Sequence, residues 1–201
     1  MSYIETVRED QAEGPVAETY ERARKRLGYV PNYTKAFSHR PALYDAWVSL
    51  NSTIWQAMDP RRYELATLAA AVRRRSTYCT VAHSERLLKL GSSAEELRAI
   101  ASDPTSAPLD DVEKAIVAYA AKVAEAPHTV TAADIDELRA VGLTDTEIFD
   151  VASAVAARLF FTALGDGLGV QADSVYRDSM ADLVDELSVG RPVATPADPA
   201  A

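Results

Sequence analysis

The sequence is poor in residues that build disulfides, metal sites or nucleotide sites. It contains one cysteine, which excludes an internal disulfide, and three histidines, which together with that cysteine show no metal-ligand spacing. Glycines cluster in GDGLG at 165–169, but they follow a predicted helix rather than a strand, so they do not predict a phosphate-binding loop. We therefore expect no metal and no cofactor.

Excess positive charge is also lacking. The net charge is -9, which disfavours binding to nucleic acid and to anionic membrane surfaces. No apolar stretch reaches the roughly 20 residues that span a bilayer. The start, MSYIETVRED, lacks the basic and apolar regions of a secretory signal. With a single cysteine, these features predict a protein of the reducing cytoplasm, with no nucleic-acid and no membrane partner.

Alanine is abundant and runs of β-branched residues are scarce, which predicts an all-α protein. Pro15 suits the first turn of a helix that Gly28 ends, and Pro41 and Pro60 suit the starts of two more. Pro104 and Pro108 indicate a linker. We expect a single helical domain over residues 1–185 and a disordered tail over 188–201.

An internal repeat relates the two halves of this domain. When the chain is shifted by 51 residues, the segment GSSAEELRAIAS from Gly91 falls on GLTDTEIFDVAS from Gly142. The shared features are a helix-ending glycine, a Ser/Thr cap, an acidic first turn and an apolar stripe. We expect two similar helical repeats, an active-site repeat at about 42–103 and a degenerate repeat at about 109–170, packed through their apolar faces. The degenerate repeat lacks three polar residues of the first: Glu64, Cys79 and His83 fall on Ala115, Val130 and Asp134.

These three residues form the one constellation that predicts chemistry. Cys79 and His83 are four residues apart and share a helix face, and with Ser76 as the N-cap Cys79 is the third helical residue. The helix N-terminus and the three arginines at 73–75 favour the thiolate, so we expect a lowered pKa for Cys79; a peroxidase site requires in addition that Cys79 is exposed. Along one continuous helix Glu64 would lie about 22 Å from Cys79. Contact between Glu64 and His83 therefore requires the chain to turn, and RRRST is the segment where we expect the turn.

A purely structural interpretation of these residues is also possible. A lone cysteine in a helical protein is most often a small buried hydrophobe, and a histidine one turn away occurs by chance. Glu64 is also an ordinary residue for the first turn of a helix. His39 and His128 lie in predicted loops, and we expect no catalytic role for either.

The pattern nevertheless resembles a known family. Glu64, followed by Cys79 in STYCTVAH and by His83, resembles the alkylhydroperoxidase D-like group of the carboxymuconolactone decarboxylase superfamily, whose motif is a glutamate followed by C-x-x-C-x-x-x-H. The segments PNYTKAFSHRPALYDAW and VAYAAKVAEAPHTVTAADIDELRAVGLTDTEIFDVASAVAARLFF extend the resemblance to the two-repeat, peroxidase-related branch over about residues 10–180.

The resemblance implies an AhpD-like helical bundle that assembles as a dimer, trimer or hexamer. It implies that Cys79 attacks hydroperoxide and that His83, assisted by Glu64, relays the proton. Ser76 stands where the family has its first cysteine, so the internal disulfide that completes the family's cycle cannot form. Ser76 and Tyr78 are left as suppliers of hydrogen bonds to the site.

Three functions follow. The first is an antioxidant peroxidase that reduces small or organic hydroperoxides through Cys79 alone, with an external thiol or dithiol as the reductant. The second is a non-catalytic oligomeric stress or binding protein with a decayed site, which predicts a buried Cys79. The third is a non-redox, carboxymuconolactone-decarboxylase-like enzyme that uses His83 and Glu64 as acid and base, and that tolerates replacement of Cys79 by serine.

Overall fold

The computed structural model describes residues 2–103 and 107–196, and within these ranges it contains helices and no strand. The predicted all-α class is confirmed. The ten α-helices are α1 Gly14–Leu27, α2 Asn32–Ala36, α3 Pro41–Ala57, α4 Pro60–Arg73, α5 Thr77–Lys89, α6 Ala94–Ser102, α7 Asp111–Glu125, α8 Ala132–Ala140, α9 Asp145–Gly167 and α10 Tyr176–Ser179. Short 3₁₀ turns occupy Glu9–Gln11, Phe37–His39 and Pro127–Thr129.

Helix ends follow local sequence signals. Pro15 lies in the first turn of α1, and Gly28 ends that helix with φ 84°, a left-handed conformation that costs glycine little. Asp59 caps α4 by accepting a hydrogen bond at 3.0 Å from the backbone N–H of Arg62. The boundaries of α1 and α4 are therefore set by residues visible in the sequence.

The same caps recur 51 residues apart. Helices α4 and α7 follow the aspartate caps Asp59 and Asp110, and helices α6 and α9 follow the hydroxyl caps Ser93 and Thr144. Gly91 and Gly142, both with φ 97°, lie two residues after the ends of the helices that precede α6 and α9. We call α4–α6 the first unit and α7–α9 the second unit.

The two units pack through α4 and α7, and α5 and α9 complete the core. The buried residues of α4 alternate large and small, with Leu65 and Leu68 among alanines, so neighbouring helices approach closely. Ile116 and Val155 face this surface from the second unit. Each such large aliphatic side chain contributes about 1.5–3 kcal/mol on burial, so the unit interface is the principal source of stability.

The C-terminal segment differs from the expected disordered tail. Residues 188–196 lie against the domain: Val193 is buried, the Gly190 N–H donates to the Thr77 hydroxyl at 2.9 Å, and Arg75 Nε donates to the Val189 carbonyl at 3.1 Å. We call residues 188–196 the C-terminal strap. Residues 197–201 of the expected tail, and Pro104 of the expected linker, lie outside the described residues.

Helix α9 also differs from the expectation that no stretch is long enough to cross a bilayer. By length and composition its residues Asp145–Gly167 meet that requirement. One such helix is weak evidence for a membrane span, because the core helix of a soluble protein has the same length and composition. Here α9 packs on α3, α4 and α7.

Candidate active site

The turn between α4 and α5 brings Glu64, Cys79 and His83 together. Arg75 adopts φ 54°, and the Ser76 N–H donates to the Ala71 carbonyl at 2.9 Å, which reverses the chain after α4. Helix α5 then begins at Thr77, which makes Cys79 its third residue. The predicted turn within RRRST is present, and it brings the Glu64 carboxylate into contact with His83.

Glu64 and His83 form a buried pair. The Glu64 carboxylate contacts Nδ1 of His83, and Arg86 Nη1 lies 3.4 Å from the other carboxylate oxygen. The Thr67 hydroxyl donates to the Tyr63 carbonyl at 2.8 Å, which leaves its oxygen to accept from Nδ1–H at 3.1 Å. Both acceptors therefore place the proton on Nδ1 and leave Nε2 with its lone pair.

The protonation states agree with this tautomer. Burial and the charge of Arg158 lower the pKa of His83 to about 4, although Glu64 opposes them. Burial would raise the pKa of Glu64, but the contact with His83 and the charges of Arg86 and Arg158 hold that pKa below its usual value. At neutral pH the site thus contains a neutral imidazole oriented by a carboxylate.

The prediction of an exposed Cys79 with a lowered pKa is wrong. Cys79 is 2% exposed, and burial raises the pKa of its thiol above the ordinary value. Arg158, whose Nη1 lies 3.7 Å from Sγ, and a hydrogen bond with Ser76 act in the opposite direction without overcoming burial. The thiol is therefore the resting form.

The cation beside Cys79 was also predicted wrongly. Arg73, Arg74 and Arg75 are exposed; Arg73 forms an ion pair with Glu125 at 3.7 Å, and Arg75 binds the C-terminal strap. The nearby cation is Arg158, which comes from α9 of the second unit and is buried. Its signal in the sequence is a single charge within the apolar run AVAARLFF.

The two supporting residues occupy different positions. Ser76 is the N-cap residue of α5 but makes no capping hydrogen bond with its side chain, and it is buried beside Cys79. The Tyr78 hydroxyl donates to the buried carboxylate of Asp173, which also accepts from Asn32 N–H at 2.8 Å and from the Tyr29 hydroxyl at 3.3 Å. Tyr78 thus contributes a wall of the site, and its hydroxyl is held by Asp173.

Cys79, His83 and Arg158 line one cavity of about 500 Å³. Seven of its twenty lining residues are aromatic, and the Trp47 and Phe161 rings lie 4.5 Å apart, centroid to centroid. The aromatic residues that line it are Tyr29, Tyr33, Tyr44, Trp47, Tyr78, Phe161 and Tyr176. A volume of this size accommodates a small organic molecule next to the sulfur.

Within residues 2–103 and 107–196, no group of three His, Cys, Asp or Glu side chains is arranged to hold a metal ion. The arrangement instead joins a nucleophile, a neutral base with its orienting acid, and a buried cation.

Comparison with known proteins gives one family match. Residues 41–122 match the carboxymuconolactone decarboxylase family, and they include Glu64, Cys79 and His83. No curated protein matches the sequence.

The fold is shared with several crystal structures. An uncharacterised peroxidase-related protein with an alkylhydroperoxidase AhpD core, from Ralstonia eutropha JMP134, superposes with a TM-score of 0.78 at 21% identity, covering 87% of this chain and 94% of that chain. A peroxidase-related protein from Silicibacter sp. TM1040 gives 0.73 at 19% identity, covering 87% and 90%. The debrominase Bmp8, in a cysteine-to-alanine form bound to 2,3,4-tribromopyrrole, gives 0.71 at 16% identity, covering 89% and 95%.

At these identities the structural likeness concerns the fold, which is that of AhpD-like all-α proteins. The family match adds the sequence relationship. Residues 41–122 are thus similar in sequence to the carboxymuconolactone decarboxylase family, and the whole described chain has the AhpD-like fold.

Proposed function

We propose that this protein is a one-cysteine, thiol-dependent peroxidase that reduces small or organic hydroperoxides. The observation that carries the proposal is the convergence of Cys79, His83 and Arg158 on one cavity large enough for an organic molecule. A histidine oriented by a carboxylate and a buried cation beside one sulfur is an arrangement typical of active sites, and it supports a catalytic rather than a non-catalytic function.

The chemical steps follow from the resting protonation states. Nε2 of neutral His83 takes the proton of the Cys79 thiol, and Arg158 stabilises the thiolate that forms. The sulfur attacks the outer oxygen of ROOH, the O–O bond breaks, and the leaving RO⁻ takes the proton from the imidazolium as ROH. Cys79 is then a sulfenic acid, oxidised by two electrons.

Reduction requires thiols from outside the chain, because the sequence contains no second cysteine. One external thiol condenses with the sulfenic acid to form a mixed disulfide and water. A second thiol attacks that disulfide, returns Cys79 as a thiol and leaves as part of the external disulfide. A small thiol or a dithiol meets this requirement.

The first experiment measures sulfenic acid formation at Cys79 with a trapping reagent, against hydrogen peroxide and an organic hydroperoxide across pH. Because burial keeps the thiol protonated, we expect a rate that exceeds that of a free thiol and still increases above pH 8.5. A rate no greater than that of free cysteine at every pH contradicts the proposal.

Burial of Cys79 favours a second candidate, the non-catalytic binding protein, because that function predicts an inert cysteine. The same experiment separates the two, since an inert Cys79 shows the slow rate. The non-redox acid–base function predicts activity that survives Cys79→Ser, whereas the peroxidase does not.

The aromatic rings of the cavity favour a third candidate, thiol-dependent removal of halogen from an aromatic ring, because a debrominase, Bmp8, shares the fold and binds 2,3,4-tribromopyrrole. The halogen would pass to the Cys79 sulfur while the ring gains a proton, and two external thiols would release halide and restore the thiol. Bromide release from tribromopyrrole in the presence of excess thiol, dependent on Cys79, would support it, and no release would exclude it.

We also propose a homo-oligomer that works in the cytoplasm. Large apolar side chains are exposed on the outer faces of two helices, Leu50 and Trp55 on α3 and Phe149 and Phe160 on α9. Such surfaces on a soluble chain are covered by association. Sedimentation should detect a dimer, trimer or hexamer, and a monomer at every concentration contradicts it.

A further inference from the structure

The cavity contains a buried cation that forms no direct ion pair among the described residues; the carboxylate that interacts with it electrostatically, Glu64, is in contact with His83. Arg158 is 4% exposed, its Nη1 faces the neutral Cys79 thiol, and its Nη2 donates to the Tyr63 hydroxyl at 3.3 Å. No carboxylate within residues 2–103 and 107–196 pairs with it, and its Nε–H has no acceptor there. An unpaired buried charge costs several kcal/mol, so a ligand that supplies the missing charge would be strongly stabilised.

A second donor without an acceptor lies on the same cavity. Trp47 lines the wall, and its Nε1–H is buried without a hydrogen-bond partner among the described residues. Buried donors are normally satisfied by protein, water or ligand. Trp47 and Arg158 thus line the same cavity, and each has a buried N–H group without a partner among the described residues.

The charge of the cavity contrasts with that of the chain. The side chains that line it and are charged at neutral pH are four cations, Arg26, Arg86, Lys89 and Arg158, and one carboxylate, Glu85, in a chain of net charge -9. Lys89 pairs with Glu85 at 3.0 Å and Arg86 approaches Glu64 at 3.4 Å. Arg26, exposed beside the Tyr33 hydroxyl, and Arg158 remain uncompensated at the rim and at the sulfur.

We propose that Arg158 and Trp47 bind the carboxylate of a flat aromatic anion whose ring lies between the aromatic walls of this cavity. A planar guanidinium suits a carboxylate, and aromatic rings stack on tyrosine and tryptophan. The identification of this anion as the substrate, an aromatic carboxylate that carries a hydroperoxide, rests on the proposed peroxidase function. The binding site itself does not depend on redox chemistry.

The test measures binding of 2-naphthoate and of neutral 2-naphthamide to the reduced full-length protein by calorimetry, without peroxide. The two probes share their ring and differ in charge. We expect naphthoate to bind roughly 10- to 100-fold more tightly than naphthamide, as a charged hydrogen bond replaces a neutral one. Equal affinities, or tighter binding of the amide, overturn the proposal without any variant.

Two substitutions locate the site. Arg158→Gln should remove the preference for the anion, and Trp47→Phe should weaken naphthoate about fivefold by removing one donor while keeping a ring. Arg98→Gln, which alters an exposed arginine paired with Glu186 at 2.7 Å, is the matched control and should change neither affinity. A preference that survives Arg158→Gln in folded protein, checked by circular dichroism, contradicts the assignment.

Failure of this site and failure of the peroxidase are distinguishable. If naphthoate binds preferentially but peroxide does not oxidise Cys79, the peroxidase proposal is rejected and the anion-site proposal is supported. If Cys79 is oxidised rapidly but the protein binds naphthoate and naphthamide equally, the anion-site proposal is rejected and the peroxidase proposal is supported.

Discussion

The two units share their backbone plan and differ in chemistry. Both begin with an aspartate cap and both contain a glycine with φ 97° before a Ser/Thr cap, yet Glu64, Cys79 and His83 belong to the first unit alone. The second unit is nevertheless part of the site, since its helix α9 supplies Arg158. The comparison teaches that one unit carries the cysteine, the histidine and the glutamate, while the other places a buried charge beside the sulfur.

The sharpest contrast between the units concerns the sulfur. Cys79→Ser should reduce peroxide reactivity by about 10³-fold or more, because the nucleophile is lost. Val130→Ala, at the matching position of the second unit, should leave reactivity unchanged. Stopped-flow measurement of hydroperoxide consumption in excess thiol checks both. Residual activity in Cys79→Ser would indicate that His83 and Glu64, rather than Cys79, carry out the reaction.

The next contrast concerns how each unit responds to pH. The pKa of His83 in the folded protein is about 4, below that of an unfolded histidine, so the unfolded state gains the proton first as pH decreases. Stability should therefore decrease by about 3 kcal/mol between pH 6.5 and 4. His83→Gln should flatten this slope in urea titrations.

The matching residue of the second unit should act in a lower pH window. Lys122 and the Thr131 backbone hold the pKa of Asp134 to about 2, below that of an unfolded aspartate. Its contribution is present above about pH 4 and is lost as pH decreases towards 2. Asp134→Asn should leave the slope between pH 6.5 and 4 intact, and an equal flattening by both variants would contradict the assignment.

A third contrast compares a crowded glycine in the strap with an open one in α9. A Cβ at Gly190 would lie 1.9 Å from the Arg75 carbonyl oxygen, so Gly190→Ala should destabilise by about 1–3 kcal/mol. Gly165→Ala, where nothing lies within 4 Å, should be neutral or stabilise by about 0.5–1 kcal/mol. Thermal unfolding of the pair checks this, and a stable Gly190→Ala would mean that the strap does not hold the turn.

The smallest contrast concerns arginine. Arg158→Gln should raise the pKa of Cys79 further, because it removes a charge that favours the thiolate, and should slow thiolate reactions at pH 7. Arg139→Gln, which removes an exposed arginine paired with Asp136 and Asp145 in the second unit, should not alter the thiol. Alkylation of Cys79 by iodoacetamide across pH measures both. An unchanged profile in Arg158→Gln would show that burial alone sets the pKa.

The sequence predicted what depends on local chemistry. Proline and glycine signals located α1 and α4, and the cap at Ser76 predicted that Cys79 is the third residue of α5. The need for Glu64 to reach His83 predicted the turn between them. Each of these inferences uses residues a few positions apart or one geometric requirement.

The sequence failed where distant segments meet. Arg158 is 79 residues from Cys79, and no spacing rule brings α9 to α5. The direction of the Cys79 pKa shift depends on burial, which the helix position does not specify. The strap was predicted to be disordered from its composition, yet its backbone finds partners on Arg75 and Thr77.

The strap also determines where the protein tolerates engineering. Arg191 Nη1 donates to the Tyr3 hydroxyl at 2.5 Å, so the N-terminal segment and the strap lie side by side, and the strap binds Thr77 two residues before Cys79. An affinity tag joined closely to residue 196 would disturb the strap and, through it, the turn between α4 and α5 that precedes Cys79. A short linker between the two segments would instead brace that turn, and a circular permutant opened at an exposed loop of the second unit would leave it undisturbed.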